Sequence, residues 1–363
     1  MSRATAATIH VDALRHNLAR MRELAPDSRV MAVVKADGYG HGLERVGRAL
    51  SGADAFGVAA LSDAERLRAI GLPHRIVLLS GFDEPADLPV LQRLSIDTVV
   101  HHAWQLELLE AAQRQASPER ARLRVWLKID SGMHRLGFPA AQAAQVHRRL
   151  RDLAWVDPEI VLMSHFASSD VFEGEATRAQ IARFQAATRG LPGPHSLANS
   201  AAVLGWRQVR NGWIRPGGAL YGISVVPGTT GADFGLAPAM TLATRLIAIH
   251  HVAAGEAVGY GGGFLCPEDM PVGVAAIGYG DGYPRAAGSG TPVLVAGRRA
   301  PLIGRVSMDL ITIDLRGLPE ARIGDEVVLW GRGLPVEEIA QHAGTIGYEL
   351  SCGITRRVRF SEA

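Results

Sequence analysis

Short apolar runs alternate with amphipathic stretches over the first two thirds of the chain. Between the runs, apolar residues recur at helical spacing, for example over residues 61–70 and 140–150. The eight runs that we interpret as strands cover residues 30–34, 55–60, 75–80, 98–102, 123–130, 159–165, 196–199 and 213–215. Eight strands, each followed by a helix, predict an α/β fold with an N-terminal (β/α)8 barrel of the TIM type, whose active site lies at the carboxyl ends of the strands.

The pattern changes after about residue 230, where glycine and proline separate strand-like segments such as 240–249, 272–277, 292–295 and 326–330. Helical spacing is scarce there apart from residues 336–343. We therefore predict a barrel over residues 11–230 and an all-β domain over residues 231–363. Residues 1–10 contain a short strand that precedes the first barrel strand and has no place in the barrel, so we expect it to join the C-terminal domain.

Composition narrows the possible partners. A chain of 363 residues exceeds a single barrel of about 250 residues, in keeping with two domains. Its 38 basic and 36 acidic residues nearly balance, which argues against nucleic acid or a membrane surface as a partner. The first residues lack the apolar core of a signal peptide, so we expect a cytoplasmic protein. Cys266 and Cys352 are too few for a disulfide framework or a cysteine-only zinc site, and we expect no metal.

The first strand leads into the run M-A-V-V-K-A-D-G-Y-G-H-G, residues 31–42. Four apolar residues in a row indicate a strand buried on both faces, and glycines then break it. Lys35 at the end of this strand would have an apolar approach on one side, which lowers the pKa of its amine and favours attack on carbonyl compounds. The alternative is a lysine that extends from a strand end into solvent.

Polar residues also fall at the ends of later predicted strands. They are Lys128 and Asp130 on the fifth, His165 on the sixth, Asn199 and Ser200 on the seventh, and Arg215 on the eighth. Each could be structural, since buried histidines usually are and Asn-Ser before a helix is commonly a cap. Gly217 and Gly218 lie with Ser200 in the loops where a barrel often binds phosphate. Strand alternation directs Lys128 into the barrel mouth.

Seven motifs of this chain resemble those of alanine racemases. The first is the run around Lys35, and the others are K-I-D-S-G-M-H-R-L-G (128–137), I-R-P-G-G-A-L-Y-G (214–222), V-G-Y-G-G-G-F (258–264), G-Y-G-D-G-Y-P-R (278–285), G-R-V-S-M-D (304–309) and Y-E-L (348–350). Their order and spread over nearly the whole chain leave little room for coincidence. The resemblance implies a homodimer whose active sites are shared between subunits, with pyridoxal 5'-phosphate (PLP) as cofactor and alanine as substrate.

The resemblance also implies roles for individual residues. Lys35 would hold PLP as a Schiff base and Tyr260 would be the second catalytic base. Cofactor contacts would come from Tyr39, Arg135, His165, Asn199, Ser200, Arg215, Gly217, Gly218 and Tyr348. Arg135, Tyr279 and Met308 would contact the substrate, with Asp309 behind them and Lys128 carbamylated to hold Arg135. Because arginine only donates, Arg215 would leave the ring nitrogen unprotonated and weaken the ring as an electron sink, which suits a racemase.

Two positions depart from common family patterns. Many members carry a histidine that supports the ring-facing arginine, where this chain has Ser196 and Leu197. His195 is adjacent but belongs to the opposite face of a strand, so the support of Arg215 is open. Ser307 replaces a frequent cysteine.

The resemblance implies an isomerase that interconverts L-alanine and D-alanine through a PLP aldimine, with Lys35 and Tyr260 as its two bases. The D-alanine would supply peptidoglycan synthesis, or the enzyme would serve alanine catabolism. A broader-specificity amino-acid racemase is the nearest alternative. PLP decarboxylases of the same plan use a different lysine motif and an acid at the ring nitrogen, and non-catalytic PLP-binding proteins resemble the barrel alone.

Overall fold

The computed structural model describes residues 4–113 and 122–363. Its strands are β1 (Ala6–Ile9), β2 (Arg29–Val33), β3 (Ala55–Val58), β4 (Arg75–Leu78), β5 (Ile96–Val100), β6 (Val125–Asp130), β7 (Phe138–Pro139), β8 (Val161–Met163), β9 (His195–Ser196), β10 (Trp213–Ile214), β11 (Met240–Val252), β12 (Ala257–Val258), β13 (Phe264–Leu265), β14 (Met270–Ala275), β15 (Pro292–Val295), β16 (Arg298–Ile303), β17 (Ile311–Asp314), β18 (Glu326–Trp330) and β19 (Arg359–Glu362). The α-helices span Val11–Leu24, Leu43–Ala49, Leu61–Ala69, Asp87–Arg93, Ala103–Gln113, Ala143–Arg151, Glu175–Thr188, Ser200–Gly205, Val336–Ala343 and Gly347–Cys352. None of the described helices has the length and apolarity that a transmembrane span requires.

One compact unit comprises Asn17–Leu220 and holds the parallel strands in the order β10-β2-β3-β4-β5-β6-β8-β9. A parallel bridge between Asn199 and Arg215 joins the two ends of this order. All eight predicted barrel strands are present, and the predicted (β/α)8 fold is confirmed. Several observed strands end earlier than predicted because the chain turns away into the loops at their carboxyl ends, and β2 ends at Val33, two residues before Lys35.

The barrel interior is filled by alternate residues of its strands. The cluster consists of Met31, Ala55, Val77, Val99, Trp126, Val161, Met163 and Trp213, all nearly inaccessible to solvent. This spacing of two is the strand period, and it sends Lys128 inward in line with Trp126. Below the apolar layer lies the buried carboxylate of Asp97, which accepts hydrogen bonds from Arg75, Arg124 and the Trp126 indole.

The other compact unit comprises Met1–His16 and Tyr221–Ala363. Its main sheet has the order β14-β17-β16-β15-β18-β11-β1-β19, and a further pairing of β14 with β11 closes an antiparallel barrel. The predicted C-terminal β fold is confirmed. Strand β1 pairs antiparallel with β11 and parallel with β19, so the N-terminal strand lies in this sheet.

Candidate active site

A left-handed turn follows strand β2 and begins just after Lys35. Residues 36–40 all have φ between 52° and 78°, a region that costs roughly 1–2 kcal/mol for each residue with a side chain. Strain of this kind persists only where surrounding contacts fix it, and it is concentrated at functional sites. The apolar run predicts that Lys35 is the last residue of a strand, and this prediction is wrong, because β2 ends at Val33. The side chain of Lys35 is exposed in the single chain.

Side chains outside the turn hold it in place. The Asp37 carboxylate accepts hydrogen bonds from the Leu43 amide at 3.1 Å and from Arg66 at 2.8 Å. Arg66 also binds both carboxylate oxygens of Glu44. The buried ring of His41 donates from Nδ1 to the Tyr39 carbonyl at 2.8 Å. Burial lowers the pKa of His41 to about 4, so the ring is neutral at physiological pH.

The turn brings Tyr39 to the loop that follows β10. Its hydroxyl fills the space beside the α-carbon of Gly217, where a side chain would overlap it. The Ser200 hydroxyl lies in the same corner and accepts hydrogen bonds from the Gly217 amide at 2.8 Å and the Ala219 amide at 3.2 Å. Hydroxyls and backbone amides in one corner are the groups that bind phosphate.

Asn199 adjoins this corner, where its side chain is a helix cap. Its Oδ1 accepts from the Ala202 amide at 3.0 Å and from the Ser169 hydroxyl at 2.9 Å. The cap fixes the start of the helix Ser200–Gly205 and with it the position of Ser200.

Cationic side chains meet at the mouth of the barrel. Lys128 is 7% exposed, and burial, followed by the charges of Arg215, Arg135 and Lys35, lowers its pKa to about 8. The carboxylate of Asp130 is engaged by the backbone amides of residues 132–134 and by the His134 ring. Positive charge therefore exceeds negative charge here, and the mouth is suited to an anionic ligand.

The guanidinium of Arg215 is buried beneath this mouth. It donates to the Ser196 hydroxyl at 2.5 Å and to the Ser164 carbonyl at 2.6 Å. Burial lowers the pKa of Arg215 to about 10, which still leaves it protonated at neutral pH. Burial and the charge of Arg215 lower the pKa of His165 to about 3, so His165 is neutral beside these cations.

Ser196 supplies the support for Arg215 that sequence analysis left open. The sheet register pairs Ser196 with Met163, whose side chain lies in the barrel interior, so strand alternation alone indicates that Ser196 points inward. His195 lies on the other face, with its ring edge-on to Phe184 at 5.3 Å.

The low number of lysines is a further sequence signal for this site. The chain contains two lysines, Lys35 and Lys128, among its 38 basic residues. Both lie at the barrel mouth, where each contributes to the electrostatics of the same site. Lysine is the basic side chain that forms imines and carbamates, whereas arginine does neither, so the distribution itself indicates amine chemistry.

The remaining predicted site residues belong to the second compact unit. Tyr260 lies in a glycine-rich loop and is 73% exposed, and Met308 is 52% exposed. The Tyr279 amide donates to the Ser307 carbonyl at 3.0 Å, which places the loop of Tyr279 beside the loop of Met308. Tyr348 lies half-buried on the helix Gly347–Cys352. Exposed tyrosine and methionine side chains on adjacent loops are typical of an interaction surface.

Family models and curated relatives agree on what this chain is similar to. The model "Alanine racemase, N-terminal domain" matches residues 9–225, and "Alanine racemase, C-terminal domain" matches residues 239–361. An alanine racemase of Shewanella loihica is 52% identical over 352 residues, which cover 97% of each chain. One from Nitrosococcus oceani is 53% identical over 355 residues, again with 97% of each chain covered.

Solved structures give the same result. The biosynthetic alanine racemase from Pseudomonas aeruginosa superimposes with a TM-score of 0.95 at 45% identity, over 99% of each chain. The alanine racemase from Acinetobacter baumannii has a TM-score of 0.93 at 36% identity, covering 99% of this chain and 100% of that one.

Proposed function

The chain belongs to the alanine racemase family, and we propose that it interconverts L-alanine and D-alanine by proton transfer at Lys35 and Tyr260. The chief support from the fold is the barrel mouth, where Lys35, Arg135 and Arg215 all act on the charge of Lys128, together with a corner of hydroxyls and backbone amides that suits a phosphate group. We assign cofactor binding to residues 11–230 and the second proton-transfer residue to the β domain, residues 231–363.

The residues of the mouth fit PLP. Lys35 would hold it covalently, and Tyr39, Ser200, Gly217 and Gly218 would bind its phosphate together with Tyr348. Arg135 would bind the phenolic oxygen and Arg215 the ring nitrogen, with His165 beside Arg215 and with Asn199 fixing Ser200. When bound, PLP supplies a conjugated ring that withdraws electrons from the substrate and acidifies its Cα–H bond. The excess of positive charge in the mouth matches the negative charge of this cofactor.

The chain's own residues divide the reaction between two faces of the substrate. The Lys35 amine would remove the Cα proton of D-alanine and, in the reverse direction, donate the proton that forms D-alanine. The Tyr260 phenolate oxygen would do the same for L-alanine. Arg215 keeps its proton, so it limits electron withdrawal into the ring and favours return of the proton to Cα. The Met308 amide and Arg135 would orient the substrate carboxylate, with Asp309 behind Met308. Tyr279 and Tyr348 would narrow the entrance, so that only amino acids with small side chains reach the site.

The two-lysine composition sharpens the test of the cofactor lysine. Borohydride reduction should attach the cofactor to the peptide that contains Lys35, because Lys128 and the N-terminus are the only other amines. Purified protein should convert L-alanine to D-alanine, and Lys35→Arg should abolish both labelling and activity. Label on Lys128, or D-products from many amino acids at equal rates, would contradict the proposal.

We also propose that Lys128 is carbamylated. Only the neutral amine reacts with carbon dioxide, forming a C–N bond and releasing a proton, and the pKa of about 8 makes that form available near neutral pH. The product would replace a buried positive charge among cations with a negative charge that can bind Arg135. Labelled bicarbonate should give one carbamate signal by NMR, absent in Lys128→Arg. Short carboxylic acids should restore activity to Lys128→Ala, and failure of both experiments would refute the modification.

We propose further that the protein is a homodimer, with Lys35 of one subunit and Tyr260 of the other in each site. The exposure of Tyr260 and Met308 supports an interface there. Mixing inactive Lys35→Ala and Tyr260→Phe proteins should restore about a quarter of wild-type sites, because one site of each mixed dimer receives both defects and the other receives none. Mixed dimers identified by mass spectrometry but without recovered activity would overturn the shared site.

The role of the enzyme in the cell is a separate proposal. The similar P. aeruginosa protein is described as biosynthetic, and we propose that this enzyme supplies D-alanine for peptidoglycan precursors in the cytoplasm. A strain that lacks it should require D-alanine for growth, and cell fractionation should recover the activity with cytoplasmic proteins. Growth without D-alanine in the absence of any second racemase would favour a catabolic role instead.

A further inference from the structure

Two loops that belong to the β domain lie side by side. One contains Tyr279 and Asp281 and the other contains Met308 and Asp309. The Tyr279 amide donates to the Ser307 carbonyl at 3.0 Å, and the Gly280 amide donates to the Met308 carbonyl at 2.9 Å. These backbone hydrogen bonds fix the local register of the two loops, but they lie on one short stretch and leave the loop tips to be held by other groups.

Arg357 joins the same two loops through their carboxylates. Its Nε lies 3.3 Å from Oδ1 of Asp281, and one of its terminal nitrogens donates to Asp309. Asp281 is fully buried, and its other oxygen accepts from the Gly278 amide at 3.0 Å. An exposed ion pair contributes little, but a guanidinium whose charge lies next to a fully buried carboxylate offsets part of the desolvation cost of that carboxylate. Arginine can bind both carboxylates at once because its donors form a planar fork.

The glycines of the first loop make room for this arrangement. A side chain at Gly280 would overlap the Arg357 guanidinium, and one at Gly278 would overlap the backbone of Ser307 and Met308. Thr355 adds a second link, because its hydroxyl donates to the Gly280 carbonyl at 2.9 Å and its amide donates to the Asp281 carbonyl at 3.1 Å. The segment around Arg357 therefore lies directly behind the loop of Tyr279.

We propose that Arg357 is a positioning residue, which clamps the Tyr279 loop to the Met308 loop so that both meet the substrate in one fixed arrangement. Its effect on catalysis rests on the proposed racemase activity, in which Tyr279 limits access and the Met308 amide orients the carboxylate. Loosening the clamp should weaken alanine binding more than it slows proton transfer, because the two loops that Arg357 joins would contact the substrate, whereas proton transfer would take place at Lys35 and Tyr260.

The test compares Arg357→Lys with Arg356→Ala as a matched control. Arg356 is the adjacent arginine, is exposed, and has no hydrogen bond or ion pair of its side chain described in the structure. We expect Arg357→Lys to raise KM for both alanine enantiomers about tenfold while kcat falls less than about threefold. Asp309→Asn, which leaves Asp281 paired, should raise KM in the same direction with an unchanged melting temperature. PLP absorbance should match that of wild type in all three variants.

Hydrogen exchange provides a readout that does not depend on activity. Amides of residues 278–282 and 307–310 should exchange faster in Arg357→Lys than in Arg356→Ala, with no difference elsewhere. Equal exchange rates in Arg357→Lys and Arg356→Ala would overturn the clamp. Equal KM values in these two variants would also overturn it, provided that the wild-type protein is active. A wild-type protein without racemase activity would instead contradict the proposed function, while the exchange result would still decide whether Arg357 holds the loops.

Discussion

The hydroxyl of Ser196 accepts a hydrogen bond from the Arg215 guanidinium at 2.5 Å and donates one to the Trp213 carbonyl at 3.0 Å. Both residues are buried, so the serine fixes the orientation of a charged group that has little access to water. The family resemblance implied a histidine in this role, and Ser196 fills it here. Removing it leaves a buried N–H donor of Arg215 without its acceptor.

Ser196→Ala should therefore destabilise the protein by about 1–3 kcal/mol, the usual effect of leaving a buried polar group unsatisfied. Racemase activity should fall as well, because Arg215, which we propose binds the ring nitrogen of the cofactor, would be held less firmly. Urea unfolding and initial rates measure the two effects. Ser28→Ala is the control, since Ser28 is a buried serine whose hydroxyl has no hydrogen-bond partner among the described residues. Equal stability of the two variants would show that the Ser196 hydroxyl does not support Arg215.

Gly217→Ala should weaken PLP binding. The new methyl group would occupy the position of the Tyr39 hydroxyl and displace it from the phosphate corner. We expect the dissociation constant of PLP to rise about tenfold, equivalent to about 1.4 kcal/mol. Titration of apoprotein with PLP, followed by absorbance, measures the change. Gly317→Ala provides the control because nothing lies within 4 Å of its added carbon, and matching affinities in the two variants would rule out a role for the close approach.

Asp97→Asn should separate stability from catalysis. Asp97 is fully buried near the start of β5 and accepts from Arg75 at 2.7 Å and from Arg124 at 2.6 Å. Loss of its charge weakens the hydrogen bonds from two partly exposed arginines, at a cost of about 1–3 kcal/mol. Activity per folded molecule should stay within about twofold of wild type, because barrel chemistry takes place at the opposite strand ends. Asp152→Asn, on the surface, should change neither quantity.

Acidification should destabilise the protein through His41. Its pKa is about 4 in the folded state and 6.5 in the reference state, so below pH 6.5 the unfolded chain takes up a proton that the folded chain does not. The stability present above pH 6.5 is lost as pH falls towards 4, and between pH 6.5 and 5 the loss from this residue is about 2 kcal/mol.

Denaturant unfolding at pH 7 and pH 5 tests this contribution. His41→Asn should show a smaller difference in stability between the two pH values than wild type, although it is less stable at pH 7 because it loses the bond to the Tyr39 carbonyl. His251→Gln, at an exposed position, should keep the wild-type difference. A pH dependence that is unchanged in His41→Asn would refute the assignment.

The barrel could be predicted from sequence because each of its strands is a short apolar run, and parallel strands buried on both faces require such runs. The same rule placed Lys128 and Arg215 at strand ends facing one mouth. Periodicity reports which residues are buried and says nothing about the sign of φ. The left-handed turn after Lys35 therefore could not be predicted from the sequence pattern, and neither could the separation of Lys35 from the end of β2.

Contacts between residues far apart in the sequence could not be predicted either. Arg357 and Asp309 are 48 residues apart, and neither residue has a local pattern that names its partner. The contact of Ser196 with Arg215 was predictable, since strand alternation puts Ser196 on the inner face, whereas the family pattern implied a histidine in that role. Local rules therefore identified the groups at the barrel mouth, whereas the contacts that orient those groups depend on the assembled fold.

Residues 36–38 have φ and ψ values close to the mirror image of an ordinary right-handed helix. An L-residue resists this conformation, whereas a D-residue prefers it. Ala36 is exposed, so its methyl group could change configuration without meeting the interior. A semisynthetic protein with D-alanine at position 36 should be more stable by about 1 kcal/mol, and a peptide of residues 31–42 alone should not keep the turn. The left-handed turn is thus the conformation that a D-amino acid prefers, in a protein that is proposed to produce D-alanine.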